Sequence, residues 1–324
     1  MIARDTLVVV PTLNEAAHIE GVLQQLFDDA GVARMLIVVA DGGSTDGTPE
    51  IVARIAAARH NVVLLHNPKR LQSAAVNAAV AARGAGMTWL GRVDAHAAYP
   101  PNYVSRLIAV AEETGADSVT TSMVARGETC FQRAAAAAQN SRLGTGGSAH
   151  RAGTRSAWVD HGHHALMRMA AFVAAGGYDE TFSHNEDAEL DHRLGAQGSR
   201  IWLTTEVAID YFPRRTARAL FRQYRNYGQG RARTVRLHRT PLKIRQMLPL
   251  AVAPAIMLAL ASPAFWPLAL PALVWAGTCL GYGLVLGRDR CSALAGWPAM
   301  VMHLGWSLGF LGQWVLGREP VSRA

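Results

Sequence analysis

The sequence predicts an α/β domain with a mainly parallel central sheet, followed by a C-terminal α-helical transmembrane region. Three observations carry this expectation. Short aliphatic runs at Leu7–Val10, Met35–Val39, Val62–Leu65 and Met87–Leu90 alternate with apolar-patterned helical segments, the pattern of a parallel sheet with helical crossovers. Polar clusters at Thr12–Glu15, Asp41–Thr48, Asn67–Ser73 and Asp94–His96 follow these runs one by one, and ligands of open α/β sheets sit beyond the carboxyl ends of the strands. Gln246–Gly287 and Cys291–Gly317 contain no Asp, Glu, Lys or Arg.

Local signals support each element in turn. Thr12 and Glu15 have the spacing of a capping box, Thr48-Pro49 sets a cap before a first-turn proline, and the alanine-rich stretch Ser73–Arg83 favours helix. Ala134–Ala138 reads as helix rather than linker. The uncharged run 246–287 is about twice the roughly 20 residues that cross a bilayer, and Ser262-Pro263 near its middle suggests a helical hairpin. Cys291–Gly317 adds a third span. Met1–Val10 is too short an apolar run for a signal-peptide core.

The net charge of +8 suggests nucleic acid until it is located. Residues 1–210 carry 17 Lys+Arg against 22 Asp+Glu, so this part is acidic. The excess lies between Arg214 and Arg245, which hold eleven Lys or Arg and no carboxylate. A basic collar beside an uncharged span follows the positive-inside rule and suits anionic headgroups, which places the N-terminal part in the cytoplasm and excludes a nucleic-acid binder. Three spans leave Arg318 and Arg323 on the far face. Cys130, Cys279 and Cys291 show neither metal spacing nor a disulfide framework and read as packing residues.

Three motifs point to chemistry. The loop Asp41-Gly42-Gly43-Ser44-Thr45-Asp46-Gly47-Thr48 combines turn glycines with carboxylates at a strand end, which suits a nucleoside and equally an ordinary turn. Gly176-Gly177-Tyr178-Asp179-Glu180, followed by Asn185-Glu186-Asp187-Ala188-Glu189-Leu190-Asp191, concentrates acids before a helix whose N-terminus favours negative charge. His161, His163 and His164 invite a zinc site, but neighbouring histidines do not converge on one centre by themselves and no acid-rich helix motif accompanies them.

Val10-Pro11-Thr12-Leu13-Asn14-Glu15 about thirty residues before Asp41 resembles the nucleotide-binding half of the inverting glycosyltransferases of family two, over roughly residues 6–230. The resemblance implies a GT-A fold, a nucleotide-sugar donor (a UDP-sugar) and a divalent metal, Mg²⁺ or Mn²⁺. By it, Pro11, Thr12, Glu15 and Asp41 hold the base and ribose, with Gly42 where a second Asp is common. Lys69, Arg70, Ser73 and Asn77 form the next donor-facing segment, whose basic charge offsets a diphosphate or is simply solvated. Asp94 and His96 stand at the metal-binding Asp-x-Asp; on an extended segment, side chains at i and i+2 share one side. Asp187 is the general base and Glu186 orients it or the acceptor, while Asp46, Glu189 and Asp191 have structural roles. His163 and His164 border donor and acceptor. Gln223–Arg231 replaces the Gln-x-x-Arg-Trp of processive synthases imperfectly, which favours single-sugar transfer; Arg225 reaches the diphosphate or lies on a basic membrane face.

Asp94-Ala95-His96-Ala97, the His161–His164 motif and Asn185–Leu190 together look most like succinoglycan-type glucosyltransferases of bacterial exopolysaccharide assembly. These imply transfer of one sugar, glucose from UDP-glucose, to a polyprenyl-diphosphate-linked saccharide. The expected organisation is a cytoplasmic catalytic domain over 1–210, a basic juxtamembrane segment over 211–245, a three-helix anchor over 246–317 and a tail over 318–324, in a multi-pass protein of the bacterial inner membrane. Rival readings are a polyprenyl-phosphate sugar synthase and a non-catalytic membrane-anchored scaffold of the same fold.

Overall fold

A computed structural model describes residues 4–152, 155–263 and 265–317; the expected tail lies outside them. In chain order the elements are β1 (Thr6–Thr12), α1 (Ile19–Phe27), β2 (Met35–Asp41), α2 (Thr48–Ala58), β3 (Val62–His66), α3 (Gln72–Arg83), β4 (Trp89–Arg92), α4 (Tyr103–Thr114), β5 (Ser118–Ala125), α5 (Cys130–Gln139), α6 (Arg142–Thr145), α7 (Ala149–Ala152), β6 (Ala157–Val159), β7 (His163–Arg168), α8 (Met169–Ala174), α9 (Glu186–Ala196), β8 (Ile201–Tyr211), α10 (Ala217–His238), α11 (Ile244–Leu250), α12 (Val252–Leu260), α13 (Leu270–Leu286) and α14 (Gly296–Leu316). The chain divides into two compact units, Met1–Met123 with Thr154–Asp210, and Val124–Gly153 with Tyr211–Ala324.

The sheet has the order β3-β2-β1-β4-β7-β5-β8-β6. β1 pairs in parallel with β2 and β4, and β2 with β3; β7 then runs antiparallel to both β4 and β5. After β3 the chain returns to the other side of β1, so the order reverses between β1 and β4, where an open sheet leaves a crevice at its carboxyl edge.

Alternation along the strands builds the core of the first unit. Val8, Val10, Ile37 and Val39 pack with Leu23 of α1, Val52 of α2 and Leu107 of α4. Leu7, Val9, Leu36 and Val38 pack with Ala75 and Ala79 of α3, Phe172 of α8 and Leu190 and Leu194 of α9. A period of two sends these sets to opposite faces, giving helices on both sides of the sheet. One expected cap does not form: Thr12 ends β1, and α1 begins only at Ile19 with no side-chain cap. Thr12 instead donates to Asp41, because the chain turns away from the strand edge before becoming helical.

In the second unit, α5 packs through Ala135 and Ala138 with Leu220 of α10 and with Ala299 and Met302 of α14. Residues 124–153, contiguous in sequence with the sheet, therefore belong to this unit. Glycines bring α10 and α14 together: a Cβ on Gly309 would lie 2.0 Å from the Arg225 carbonyl oxygen, and one on Gly228 would lie 2.3 Å from that of Trp306. Small residues permit such backbone approach between helices. Cys130 and Cys291 form a disulfide here, beside the Arg133–Asp289 ion pair at 2.8 Å, so they are not simple packing residues; Cys279 is free and buried. A sequence separation of 161 hides the proximity of the paired cysteines.

The uncharged C-terminal runs also differ from the expected three spans. Among the described residues, one helical stretch, Trp266–Leu286, is long and apolar enough to cross a membrane, and Ile244–Leu260 is shorter. α14 has the length, but His303, Gln313 and its glycines dilute its hydropathy, and Ala299, Met302 and Phe310 are buried within the unit. Absence of charge over 27 residues is thus not equivalent to a lipid-facing surface.

Candidate active site

At the carboxyl edge of β1 and β2, two loops lock together. The Asn14 amide donates to Ser44 Oγ at 2.8 Å, the Thr45 amide to Asn14 Oδ1 at 2.9 Å and the Ala16 amide to Asp46 Oδ2 at 2.9 Å. Asn14 adopts a left-handed conformation (φ 58°), which asparagine tolerates. The buried Asp41 carboxylate accepts from the Gly43 and Ser44 amides and the Ser44 hydroxyl. Both its oxygens organise its own loop. Gly42 leaves little room: an added Cβ would approach Thr12 O, Leu13 and Arg70 within 3.5 Å. Pro11 lies beside Ala40 in the β1–β2 register.

The next segment is occupied by local contacts. Arg70, also left-handed, donates from Nε to Gly42 O at 2.9 Å. Lys69 pairs with Glu180. Asn77 brackets Tyr178, accepting from its amide at 2.9 Å and donating to its carbonyl at 2.8 Å. Ser73 is buried, with no hydrogen-bond partner for its hydroxyl. Lys69, Arg70 and Asn77 thus hold the loops around the edge; none of the three is free to meet a diphosphate without exchanging a partner.

Asp94 and His96 do not lie on an extended segment. The chain leaves β4 after Arg92 and turns at Ala95-His96. His96 is exposed and its Nδ1 lies 3.0 Å from Glu15 Oε1. Asp94 accepts from Gln72 Nε2 at 2.6 Å and sits 3.6 Å from His163 Nε2. Among the described residues, no group of three or more His, Cys, Asp or Glu could hold a metal ion. One partly exposed carboxylate does fit an oxygen-seeking ion that takes its remaining ligands from substrate phosphates and water. Burial opposes ionisation of Asp94, but Arg92, then His163 and His96, outweigh it and lower its pKa.

Arg92 organises the acids. This buried side chain lies at the end of β4, with NH1 2.6 Å from Asp187 Oδ1 and 3.7 Å from Glu186 Oε1, and Nε 3.6 Å from Asp94 Oδ1. Burial opposes its charge, yet the surrounding carboxylates, Asp187 foremost, raise its pKa well above the ordinary value. Asp187 is correspondingly held well below the usual carboxylate range: burial would raise it, but Arg92 and then His164, His163 and His161 prevail. Glu186 moves the other way, because burial and the adjacent Asp187 push it up to about 7. Two neighbouring acids at the start of α9 thus divide, one ionised and one titrating near neutrality.

His163 and His164 are consecutive on β7 and face different partners. His163 stands between the two acidic positions, with Nε2 3.6 Å from Asp94 Oδ2 and Nδ1 3.8 Å from Asp187 Oδ2. His164 is buried, with Nε2 2.7 Å from Asp191 Oδ1 and Nδ1 2.7 Å from the Tyr178 hydroxyl. The structure therefore gathers Asp94, His163, His164, Glu186 and Asp187 around Arg92. Arg225 lies on α10 of the second unit, its backbone against Gly305 and Gly309 of α14.

Sequence reasoning passed over Arg92 and Tyr178 and gave Asp191 only a structural role. A cluster of acids needs a buried counter-charge, and Arg92, two residues before Asp94, was its available signal. Tyr178 lay inside the Gly176–Glu180 motif, of which only the acids drew attention.

Residues 7–174 match the family of glycosyl transferase family 2, and residues 92–280 match glycosyl transferase family group 2. The chain is 53% identical over 308 residues to the succinoglycan biosynthesis protein ExoA of Rhizobium meliloti (strain 1021), covering 94% of this chain and 93% of that protein. Among solved structures, the mannosyltransferase PcManGT from Pyrobaculum calidifontis in complex with GDP-Man and Mn²⁺ aligns with a TM-score of 0.61 at 20% identity, over 98% of this chain and 89% of that one. S. aureus TarS 1-349 aligns at 0.51 and 13% identity, over 95% and 90%. These two share the GT-A-like fold. With identity above one half across nearly the whole of both ExoA and this protein, the chain belongs to glycosyl transferase family 2 and is an ExoA-like glycosyltransferase.

Proposed function

We propose that this enzyme transfers a single glucose from UDP-glucose, with inversion, to a polyprenyl-diphosphate-linked saccharide in bacterial exopolysaccharide biosynthesis. The observation that carries the reading is His163 bridging Asp94 and Asp187. It puts a carboxylate suited to a cation and a carboxylate suited to proton transfer on either side of one imidazole. Kinship with the succinoglycan biosynthesis protein supports a place in exopolysaccharide biosynthesis.

In this reading Pro11, Thr12, Glu15 and the Asp41 loop frame the nucleoside, and Arg70 and Lys69 exchange their present partners for diphosphate charge. Asp94 would hold the divalent ion, Mn²⁺ or Mg²⁺, together with phosphate oxygens, and the ion supplies charge neutralisation for the departing diphosphate; His96 with Glu15 flanks that position. Asp187, kept ionised by Arg92, takes the acceptor hydroxyl proton as that oxygen attacks the anomeric carbon. Its low basicity is offset by proximity, since the proton moves as the new bond forms rather than before it.

The enzyme works at the cytoplasmic face of the bacterial inner membrane. Trp266–Leu286 is the candidate span, with Leu273, Val274, Leu284 and Val285 exposed along it. The arginines of α10 suit anionic headgroups. Arg225 serves this basic face or the diphosphate.

The test is calorimetric binding of UDP with and without Mn²⁺ to the detergent-purified protein, then NMR of the product formed from UDP-glucose and membrane lipid extract. Metal-dependent UDP binding and an inverted anomeric centre support the reading; retention of configuration, or preference for GDP, defeats it. Full activity of Asp187→Asn would favour a lipid phosphate nucleophile, which needs no base.

A further inference from the structure

The His161-Gly162-His163-His164 motif finds its partner on α9, one turn beyond Asp187. Residues four apart share a helical face, so Asp187 and Asp191 stack, one toward Arg92 and one toward β7. Asp191 is buried and its Oδ1 lies 2.7 Å from His164 Nε2, while its Oδ2 lies 2.9 Å from His161 Nδ1 and accepts from the Gly162 amide at 3.2 Å. Position 162 requires glycine, because a Cβ there would fall 2.4 Å from Thr120 Oγ1.

The other ring nitrogen of His164 reaches toward the base. His164 Nδ1 is 2.7 Å from the Tyr178 hydroxyl, which is 3.3 Å from Asp187 Oδ1 and also 3.3 Å from Arg92 NH1. Arg92 can only donate and an ionised carboxylate can only accept. The direction of the Tyr178 proton therefore depends on His164. A protonated Nδ1 donates to Tyr178 and turns its proton to Asp187; an unprotonated Nδ1 takes the Tyr178 proton for itself. Burial disfavours the imidazolium, but Asp191 and Asp187 outweigh it and raise the His164 pKa.

We propose that Asp191, His164 and Tyr178 are positioning residues that form a buried donor chain ending on Asp187 Oδ1, leaving Oδ2 as the oxygen that takes the acceptor proton. The proposal rests on the reading of Asp187 as the base. Oδ1 receives Arg92 at 2.6 Å and Tyr178 at 3.3 Å, with His164 Nδ1 itself 3.4 Å away, whereas Oδ2 faces His163 Nδ1 at 3.8 Å. In the transfer, the acceptor O–H bond breaks and its proton passes to Oδ2. The acceptor oxygen bonds to the anomeric carbon, and the bond from that carbon to the diphosphate breaks with its electron pair, releasing UDP. The chain keeps the carboxylate from rotating and holds Oδ2 available throughout.

Two measurements test this. Nitrogen-15 NMR of histidine-labelled protein near neutral pH, with His164 assigned by its loss in His164→Gln, should show both of its ring nitrogens protonated. In Asp191→Asn the ring should become neutral. A neutral His164 ring in the native chain overturns the donor chain whatever the sugar donor is. In the second, slow hydrolysis of UDP-glucose lets water stand in for the acceptor. Tyr178→Phe, which keeps the ring, should lower kcat roughly tenfold, the scale of one lost hydrogen bond to a carboxylate, with KM for UDP-glucose and the melting temperature unchanged. His164→Gln should cost much less once Tyr178 is Phe than it does alone, because the two are coupled on Asp187 Oδ1. Native kcat in Tyr178→Phe, or independent losses that multiply, overturns the proposal. Native turnover in Asp187→Asn would instead overturn the assignment of the base.

Discussion

Arg92 NH1 and Asp187 Oδ1 meet at 2.6 Å although 95 residues separate them in the chain, and this contact joins the end of β4 to the first turn of α9. It fixes which acid of the Glu186-Asp187 pair is ionised. Arg92→Met leaves the carboxylates without their buried counter-charge, so unfolding in denaturant should show a loss of about 3–5 kcal/mol. Turnover should fall with it, because Asp187 would lose the charge that most favours its ionised form. A stability change under about 1 kcal/mol would show that the arginine is not the principal counter-ion.

Glu186 carries a distinct pH signature. Its folded pKa, about 7, lies above the ordinary 4.5. Stabilisation by its protonated form is therefore fully present below the ordinary value and lost as pH rises through 7. Glu186→Gln cannot ionise, so it should match the native chain near pH 4 and exceed it by up to roughly 3 kcal/mol near pH 8. Thermal unfolding across that range decides; an equal offset at both ends would place the shift elsewhere.

Asp94→Ala should separate metal from nucleotide. Calorimetry with UDP and Mn²⁺ should show affinity falling by on the order of tenfold or more, while binding without Mn²⁺ stays unchanged, since only the ion depends on this carboxylate. Loss of UDP binding in both conditions would indicate a collapsed edge.

The α10–α14 contact should be intolerant of volume. Gly309→Ala puts a Cβ 2.0 Å from the Arg225 carbonyl and should cost about 1–3 kcal/mol through forced backbone separation. Gly312→Ala meets nothing within 4 Å and should be neutral or stabilising by up to about 1 kcal/mol through helix propensity. Melting temperatures in detergent compare the two.

The alternating strands, the helix over Gln72–Arg83 and the clustering of Asp41 and Asp94 at strand ends were legible in the sequence. The reason is local: period-two burial and strand-end polarity need no knowledge of what packs opposite. Sequence spacing presumed an extended chain from Asp94 to His96, where a turn intervenes. It likewise read Cys291–Gly317 as a further span, whereas among the described residues one stretch, Trp266–Leu286, is long and apolar enough to cross a membrane.

From the sequence alone came the α/β class and the location of the basic excess, since each depends on residue types in order along the chain; the expectation of a nucleotide-sugar donor came from the resemblance to family two. Only the tertiary structure could decide which charges neutralise one another. Arg92, His164 and Tyr178 reach Asp187 from β4, β7 and the loop before α9. The opposite pKa shifts of Glu186 and Asp187 follow from that arrangement, because electrostatic energy depends on distance and desolvation rather than on position in the chain.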